Sequence, residues 1–200
     1  MIVDPDSLPP YQRRRWGSIV DAAGALLAAD DYEAILVRDV AAQAGVALGT
    51  VYRYFPSKEQ LYAVVLREWS AADAETESAD PVPARPPGER LRARMHHSVR
   101  RFEVFPSFLR LQLLLQQSAD PAVRAVFDQF SDQVVSSYRE RLADLPAADR
   151  DDVVAMAAAL LVHQLGRFAQ GRQSIGEVHR LVDRFVDLLF GAGPAGARQE

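Results

Sequence analysis

The stretch VRDVAAQAGVALGTVYRYF, residues 37–55, decides the fold. Apolar residues recur at helical spacing over residues 37–44, and Gly45 then supplies the left-handed cap that commonly ends a helix. Residues 47–54 form a second short helix, which Pro56 stops. Two short helices joined by a tight glycine-containing turn are a helix-turn-helix layout.

The rest of the chain also predicts helices. Residues 12–29 carry one apolar stripe, and the Ser57 to Gln60 capping box opens a further helix that runs to about residue 74. A proline-rich break at residues 78–88 separates these helices from five more, which end near Phe190. No segment alternates between apolar and polar residues in the manner of a strand. We therefore predict an all-α protein of about nine helices.

Composition excludes several classes of protein. The 200 residues contain no cysteine, so there is no disulfide framework and no thiolate metal site. The longest apolar run, residues 153–162, is about half of what spans a bilayer, so we expect no membrane partner and a cytoplasmic location. The formal net charge is −4, which does not suggest a nucleic-acid partner. However, residues 40–58 contain Arg53 and Lys58, the only lysine, and no acidic residue.

The helix-turn-helix residues carry a resemblance to a known family. The segments 37–41, 44–46, 49–55 and 57–61, which include the run Gly-Thr-Val-Tyr-Arg-Tyr-Phe, resemble the TetR family of bacterial transcriptional regulators. The resemblance covers about residues 12–65. It implies a DNA-binding domain over residues 11–56, a connecting helix over 57–77, a ligand-binding and dimerisation domain over 78–191, and a flexible tail over 192–200.

The resemblance also implies which residues contact DNA. A guanidinium is a forked donor that suits guanine or phosphate, and hydroxyl groups suit phosphate oxygens. The positions that match the family's DNA contacts are Arg38, Leu48, Gly49, Thr50, Tyr52, Arg53, Tyr54 and Lys58. Among them we expect Arg53 to read a base and Lys58 to bind a phosphate. The arginines 13–15 before the first helix are expected to follow the DNA backbone or to enter a minor groove.

Two departures from the family pattern concern the ends of the short helices. Leu36 and Ala47 stand where the family commonly has a Ser or Thr cap, and a lost cap costs about 0.5–2 kcal/mol. Leu48 replaces a commonly polar residue, so its base contact is expected to be apolar, with a thymine methyl. Packing in the helix-turn-helix core remains an alternative role for Tyr52 and Tyr54.

The second half of the chain predicts a ligand site and a dimer interface, both implied by the resemblance. A mostly apolar cluster with a few polar groups is typical of small-molecule sites, although a packed core has the same composition. The ligand set is Phe102, Phe105, Phe108, Leu111, Gln112, Leu115, Phe127, Phe130, Val134, Met156, Leu160 and His163. The dimerisation set is Leu161, Leu165, Phe168, Val178, Leu181, Phe185 and Leu189. The alternative for these last helices is that they close the core of the single chain.

The resemblance to the TetR family implies a repressor that binds a palindromic double-stranded DNA operator as a homodimer. A hydrophobic effector of fatty-acyl, steroid-like or aromatic type is expected to release it. No Glu has a His three residues later, and His96 and His97 point to different sides of a helix, so we expect neither an enzyme nor a metal or cofactor site. The alternative function is a ligandless helical DNA-binding or protein-interaction module.

Overall fold

The computed structural model describes residues 3–78 and 85–191. Within these ranges, the side chains of residues 73–78 are not described. Its described residues form helices and no strand, as predicted. A 3-10 turn at Pro5–Ser7 precedes nine α-helices, which are α1 (Pro10–Ala29), α2 (Val37–Gln43), α3 (Leu48–Tyr54), α4 (Lys58–Ser78), α5 (Pro87–Val104), α6 (Pro106–Leu115), α7 (Pro121–Arg141), α8 (Ala147–Ala169) and α9 (Ile175–Phe190).

Residue contacts divide the chain into two compact units. Unit 1 comprises Met1–Thr76 with Phe105–Gln133, and unit 2 comprises Glu77–Val104 with Val134–Glu200. Unit 1 therefore holds α6 and the first part of α7 together with the helix-turn-helix. In that unit α1 packs on α2 and α6, and α2 packs on α3. The domain boundaries expected from the sequence stay a prediction, and the tail over 192–200 lies outside the described residues.

The helix ends follow local chemistry at several predicted places. Gly45 has a φ of 65°, the left-handed conformation that a tight turn requires. Asp120 caps α7 by accepting a hydrogen bond from the Ala122 N–H at 2.8 Å. Ser174 and Glu177 make both hydrogen bonds of the expected capping box at the start of α9.

The second predicted capping box forms only in part. The Gln60 backbone N–H donates to Ser57 Oγ at 3.1 Å, which is the first half of the motif. The Gln60 side chain does not complete it, because its Nε2 donates to Asp120 Oδ2 at 2.7 Å instead. The Gln60 side chain, which the local pattern assigns to the start of α4, thus forms a tertiary hydrogen bond with Asp120.

Unit 2 is built around α5 and α9, and α8 packs on both. Its fully buried side chains include Leu91 and Met95 on α5 and Val178 and Val182 on α9. The start of α5 lies so close to the end of α9 that only a glycine fits there. A Cβ atom on Gly88 would lie 2.7 Å from Phe190 Cβ.

We expect Gly88→Ala to lower the free energy of unfolding by about 1–3 kcal/mol, because the added methyl group overlaps the Phe190 side chain. Chemical denaturation at fixed protein concentration measures the change. Gly17→Ala in α1 is the matched control, since its Cβ would meet nothing within 4 Å. A loss as large in the Gly17 variant as in the Gly88 variant would contradict the overlap.

Candidate nucleic-acid interface

The α2–α3 pair is held from one side by buried apolar residues. Val40 and Val51 are fully buried, and the Val46 N–H donates to the Ala41 carbonyl at 3.0 Å across the turn. Behind them, the Trp16 ring of α1 lies 6.0 Å from the Phe55 ring, centroid to centroid. This packing leaves the opposite side of α3 open to a ligand.

The open side of α3 presents most of the predicted contact residues. Leu48 is 42% exposed and Tyr52 is 46% exposed, and Gly49 and Arg53 are exposed as well. A Cβ at Gly49 would meet no atom within 4 Å, so another molecule can approach the backbone there. Thr50 is half-buried. The face combines hydroxyl groups, a guanidinium and one apolar side chain, which suits the backbone and base edges of DNA.

Tyr54 occupies a different environment from the exposed one that a DNA contact needs. Its side chain is 2% exposed, and its hydroxyl group has no hydrogen-bond partner. The Tyr54 ring packs 6.4 Å from the Phe55 ring and lies 5.3 Å from the Arg53 guanidinium carbon. The structure therefore supports the alternative role that the sequence left open, in which Tyr54 packs the helix-turn-helix core.

Lys58 is engaged inside the protein. Its Nζ donates to the Tyr32 carbonyl and lies 4.1 Å from the centroid of the Tyr32 ring. Burial lowers the pKa of Lys58, and the nearby Glu33 carboxylate acts in the opposite direction. To bind a phosphate, the ammonium group has to leave or share the Tyr32 carbonyl. Its predicted phosphate contact stays a prediction.

The remaining basic residues near the helix-turn-helix differ in their freedom. Arg38 is exposed and lies 3.8 Å from Asp39, a weak surface ion pair. Arg13 donates to the carbonyls of Pro5 and Asp6, each at 3.1 Å, and thereby holds the 3-10 turn against α1. The arginine run was expected before the first helix, but it lies within α1. Residues 14 and 15 of the run are exposed and remain suited to phosphate.

The exposed surface also contains apolar residues that sequence reasoning did not assign to the interface. Leu36 precedes α2 and Tyr11 lies in the first turn of α1, and both side chains are exposed. Leu36 and Ala47 have extended backbone and provide no side-chain cap, as the sequence indicated.

The predicted ligand residues fall into both units. Seven of them, Phe105, Phe108, Leu111, Gln112, Leu115, Phe127 and Phe130, belong to unit 1. There the Trp69 ring of α4 stacks on Phe108 at 4.5 Å between centroids and meets Phe105 edge-on at 6.0 Å. Sequence reasoning did not include Trp69 among the ligand residues. Gln112 Oε1 is buried in this unit with no hydrogen-bond partner.

The other predicted ligand residues belong to unit 2. Phe102 is buried, and Val134 and Leu160 are half-buried. Met156 and His163 are exposed on α8, on the side opposite its buried residues. Their exposure does not favour a place in an enclosed cavity of the protomer.

The predicted dimerisation residues also separate by exposure. Leu161, Leu165 and Val178 are buried within unit 2, so they close the protomer's own core. Phe168, Leu181 and Phe185 are half-buried, and Leu189 is exposed. The sequence left open whether these residues pack in the core of the single chain. The structure supports that role for Leu161, Leu165 and Val178.

A second face of α8 is apolar and uncovered. By length and composition α8 could cross a membrane. This is weak evidence for a membrane span, since core helices of soluble proteins share these properties. In the most apolar 18-residue stretch of α8, 28% is buried. Its exposed side carries Ala155, Met156, Ala159 and Val162. On α9 the apolar residue Leu188 is 66% exposed. Such a surface is typical of a contact with another molecule.

Comparisons with known proteins agree with this geometry. The family described as bacterial regulatory proteins, tetR family, matches residues 19–65. The HTH-type transcriptional repressor KstR of Mycobacterium tuberculosis is 31% identical over 182 residues, which are 90% of this chain and 82% of that protein.

Two solved structures have the same fold. A TetR transcriptional regulator from Rhodococcus sp. RHA1 has a TM-score of 0.70 at 22% identity and covers 90% of this chain and 97% of its own. The transcriptional regulator FadR from Bacillus subtilis, in complex with stearoyl-CoA, has a TM-score of 0.68 at 19% identity. That match covers 89% of this chain and 100% of the FadR chain.

Two tyrosines of α3 give a matched pair of variants for testing the exposed face. We expect Tyr52→Phe to weaken binding to duplex DNA by about 0.5–1.5 kcal/mol, because an exposed hydroxyl that donates to phosphate is lost. Tyr54→Phe is expected to leave DNA affinity unchanged, because its hydroxyl is buried and unpartnered. Fluorescence anisotropy with a labelled duplex measures both. Equal losses in the two variants would contradict the assignment.

Proposed function

Because this chain belongs to the TetR family of bacterial regulatory proteins, it is a DNA-binding transcriptional regulator, and we propose that it represses transcription as a homodimer. Two copies of the α2–α3 pair bind the half-sites of a palindromic operator, and a hydrophobic small molecule releases the DNA. The observation that carries the proposal is the exposed face of α3, which presents Leu48, Tyr52 and Arg53 above a fully buried Val51. As a regulator of transcription the protein acts in the cytoplasm.

Base reading falls to the two exposed side chains that differ most in chemistry. Arg53 offers a guanidinium for the O6 and N7 atoms of guanine, and its position over the Tyr54 ring limits the directions that it can take. Leu48, at the start of α3, contacts a thymine methyl, because it has no hydrogen-bonding group and its exposed apolar surface gains from burial. Thr50 and Tyr52 contact phosphates and fix the register.

The dimer interface is formed by the uncovered face of α8 and the exposed end of α9. Ala155, Ala159 and Gly166 are spaced about one and two helical turns apart, and small residues allow two helices to approach closely. Val162 and Leu188 supply exposed apolar surface. A two-fold axis through this face makes an isologous four-helix contact. Dimerisation also places two copies of α3 for the two halves of a palindrome.

The effector is hydrophobic and carries at least one polar group. The aromatic rings of Trp69, Phe105 and Phe108 offer a flat apolar surface in unit 1. The buried Gln112 Oε1 lacks a donor, and a hydroxyl or amide group of a ligand supplies one. FadR, which shares the fold, was crystallised with stearoyl-CoA, which favours a fatty-acyl ligand over an aromatic one. A steroid-like ligand fits the same chemistry.

Three polar contacts connect α6 and α7 to the DNA-binding helices within unit 1. Arg110 of α6 binds Asp31, which lies between α1 and α2. At the start of α4, Gln60 donates to Asp120, and further along α4 Arg67 donates to Gln129 at 3.0 Å. A ligand that shifts α6 or α7 therefore changes contacts made by α4 and by the segment before α2. Such differential contacts are what allosteric release requires.

One binding experiment separates the proposed repressor from the alternative, a ligandless module. Operator duplexes are selected from a random pool, and affinity is measured at rising salt with and without stearoyl-CoA, a steroid CoA ester and an aromatic acid. We expect a palindromic site, an affinity that falls steeply with salt, and one compound class that raises the melting temperature and releases DNA. DNA binding that does not depend on salt would contradict the proposed DNA interface. DNA binding that none of the compounds changes would favour the ligandless module.

A charge placed on the uncovered face of α8 tests the dimer. We expect Val162→Glu to convert the dimer to a monomer and to weaken binding to the palindrome, because it buries an unpaired carboxylate at the two-fold contact. Sedimentation velocity measures the mass in solution. Val104→Glu is the matched control, since Val104 is also exposed but lies at the end of α5. A dimeric Val162 variant would place the interface elsewhere.

A further inference from the structure

A cluster of ionisable side chains joins α5 to α9 in unit 2, apart from the DNA-binding helices. His96 Nδ1 lies 2.6 Å from His179 Nδ1, and His96 Nε2 lies 2.8 Å from Asp183 Oδ1. Arg92 extends the cluster, with contacts of 2.7 Å to Asp183 Oδ1 and 2.6 Å to Asp187 Oδ1. The two imidazole rings face each other with centroids 4.8 Å apart.

Counting protons shows which states of the pair keep these hydrogen bonds. When both rings are neutral, His179 Nδ1–H donates to His96 Nδ1, and His96 Nε2–H donates to the Asp183 carboxylate. One additional proton is also accommodated, because a charged His96 can donate from Nδ1 to a His179 that carries its hydrogen on Nε2. A second additional proton leaves two N–H groups facing each other, and the hydrogen bond between the rings is lost.

We propose that His96 and His179 form a proton-sharing pair that strengthens the attachment of α9 to α5 at neutral pH and weakens it in mild acid, when both rings become charged. The two helices make the main packing contact of unit 2. The pair therefore acts at the contact that holds α9 in place.

The surroundings of the pair agree with this role. Burial lowers the pKa of His179, the neighbouring His96 lowers it further, and Arg100 has the same effect, whereas Glu103 and Asp183 oppose them. The groups named come from α5 and α9. The buried side chains of α8, which packs on both helices, are all apolar. Among the described residues, no group of three or more His, Asp or Glu side chains is arranged to hold a metal ion.

The direction of the pH effect follows from the direction of this shift. A histidine whose pKa is lower in the folded protein binds its proton more readily when the chain is unfolded. Stability is then complete above the ordinary histidine pKa of 6.5 and decreases as the pH falls from there toward the folded-state value. The loss reaches about tenfold in the folding equilibrium constant per pH unit for one proton. Burial raises the pKa of Asp183, but its hydrogen bonds to His96 and Arg92 outweigh this, and the net pKa is lowered, so that its own titration lies at lower pH.

A regulatory consequence follows and rests on the proposed function. The same helix α9 carries Leu188 on its exposed side, which we place in the dimer interface. Mild acid that loosens α9 from α5 therefore also weakens the dimer and its hold on the operator.

The test compares chemical denaturation of the full chain at pH 7.5, 6.5 and 5.5, at one protein concentration. His179→Asn keeps a hydrogen-bonding group near the Nδ1 position and does not titrate, whereas His163→Asn removes an exposed histidine of α8. We expect the wild type and the His163 variant to lose stability below pH 6.5. In the His179 variant the folding equilibrium constant should decrease less steeply with acid than in the wild type. The difference between the two should reach up to about tenfold per pH unit.

A second measurement needs no variant that might fail to fold. Nitrogen chemical shifts of the histidine rings in the wild-type protein should show His179 taking up its proton below the ordinary histidine pKa of 6.5. Titration of His179 at or above pH 6.5, or a His179 variant with the wild-type pH profile, would overturn the proposal. Neither measurement involves DNA, so a failure of the proposed function leaves the outcome for the pair unaffected. Operator affinity measured at pH 7.5 and 5.5 then tests the regulatory consequence. That consequence requires His179→Asn to reduce the loss of operator affinity in acid.

Discussion

Two seven-residue helices are too short to be stable alone in water, so the DNA-facing surface of this regulator depends on the packing beneath it. Neither α2 nor α3 has a side-chain cap, which removes the usual local source of stability. Their orientation is set instead by Val40, Val51 and Tyr54, which are buried, and by the contact between Phe55 and Trp16. Burial of these side chains thus determines the direction in which Leu48, Tyr52 and Arg53 point.

The same dependence explains why α6 and the first part of α7 belong to unit 1. They meet the loop before α2 and the helix α4 through polar contacts at Asp31, Gln60 and Arg67. Asp120 serves two purposes there, since one oxygen caps α7 and the other accepts the Gln60 amide. A buried amide paired with a carboxylate is specific in geometry, whereas apolar packing tolerates small shifts. These contacts give the DNA-binding helices a defined position relative to the aromatic cluster of Trp69.

The sequence predicted features that depend on neighbouring residues and failed where distant residues decide. Among the described residues, the nine helices, the Gly45 turn and the Ser174 capping box follow from local patterns, and all are confirmed. Tyr52 and Tyr54 look equivalent in sequence, but two residues along a helix rotate a side chain by about 200°, so only one can face outward. The Gln60 side chain was misplaced because its partner, Asp120, comes from the start of another helix. Whether Leu161 and Leu165 pack in the core of the single chain stayed open in the sequence for the same reason, since their neighbours lie on other helices. The histidine pair joins residues 83 positions apart, a separation that no local pattern reveals.

The contact between Lys58 and Tyr32 has a consequence for the chemistry of the surface. Lys58 is the only lysine among 200 residues, and every other basic side chain except histidine is an arginine. Lys58 is therefore the single side-chain target of amine-directed acylation, and it lies four residues beyond the end of α3. Because that amine donates to the Tyr32 carbonyl, its acylation requires that this hydrogen bond break, so the acylation rate reports on the contact between the start of α4 and the loop before α2.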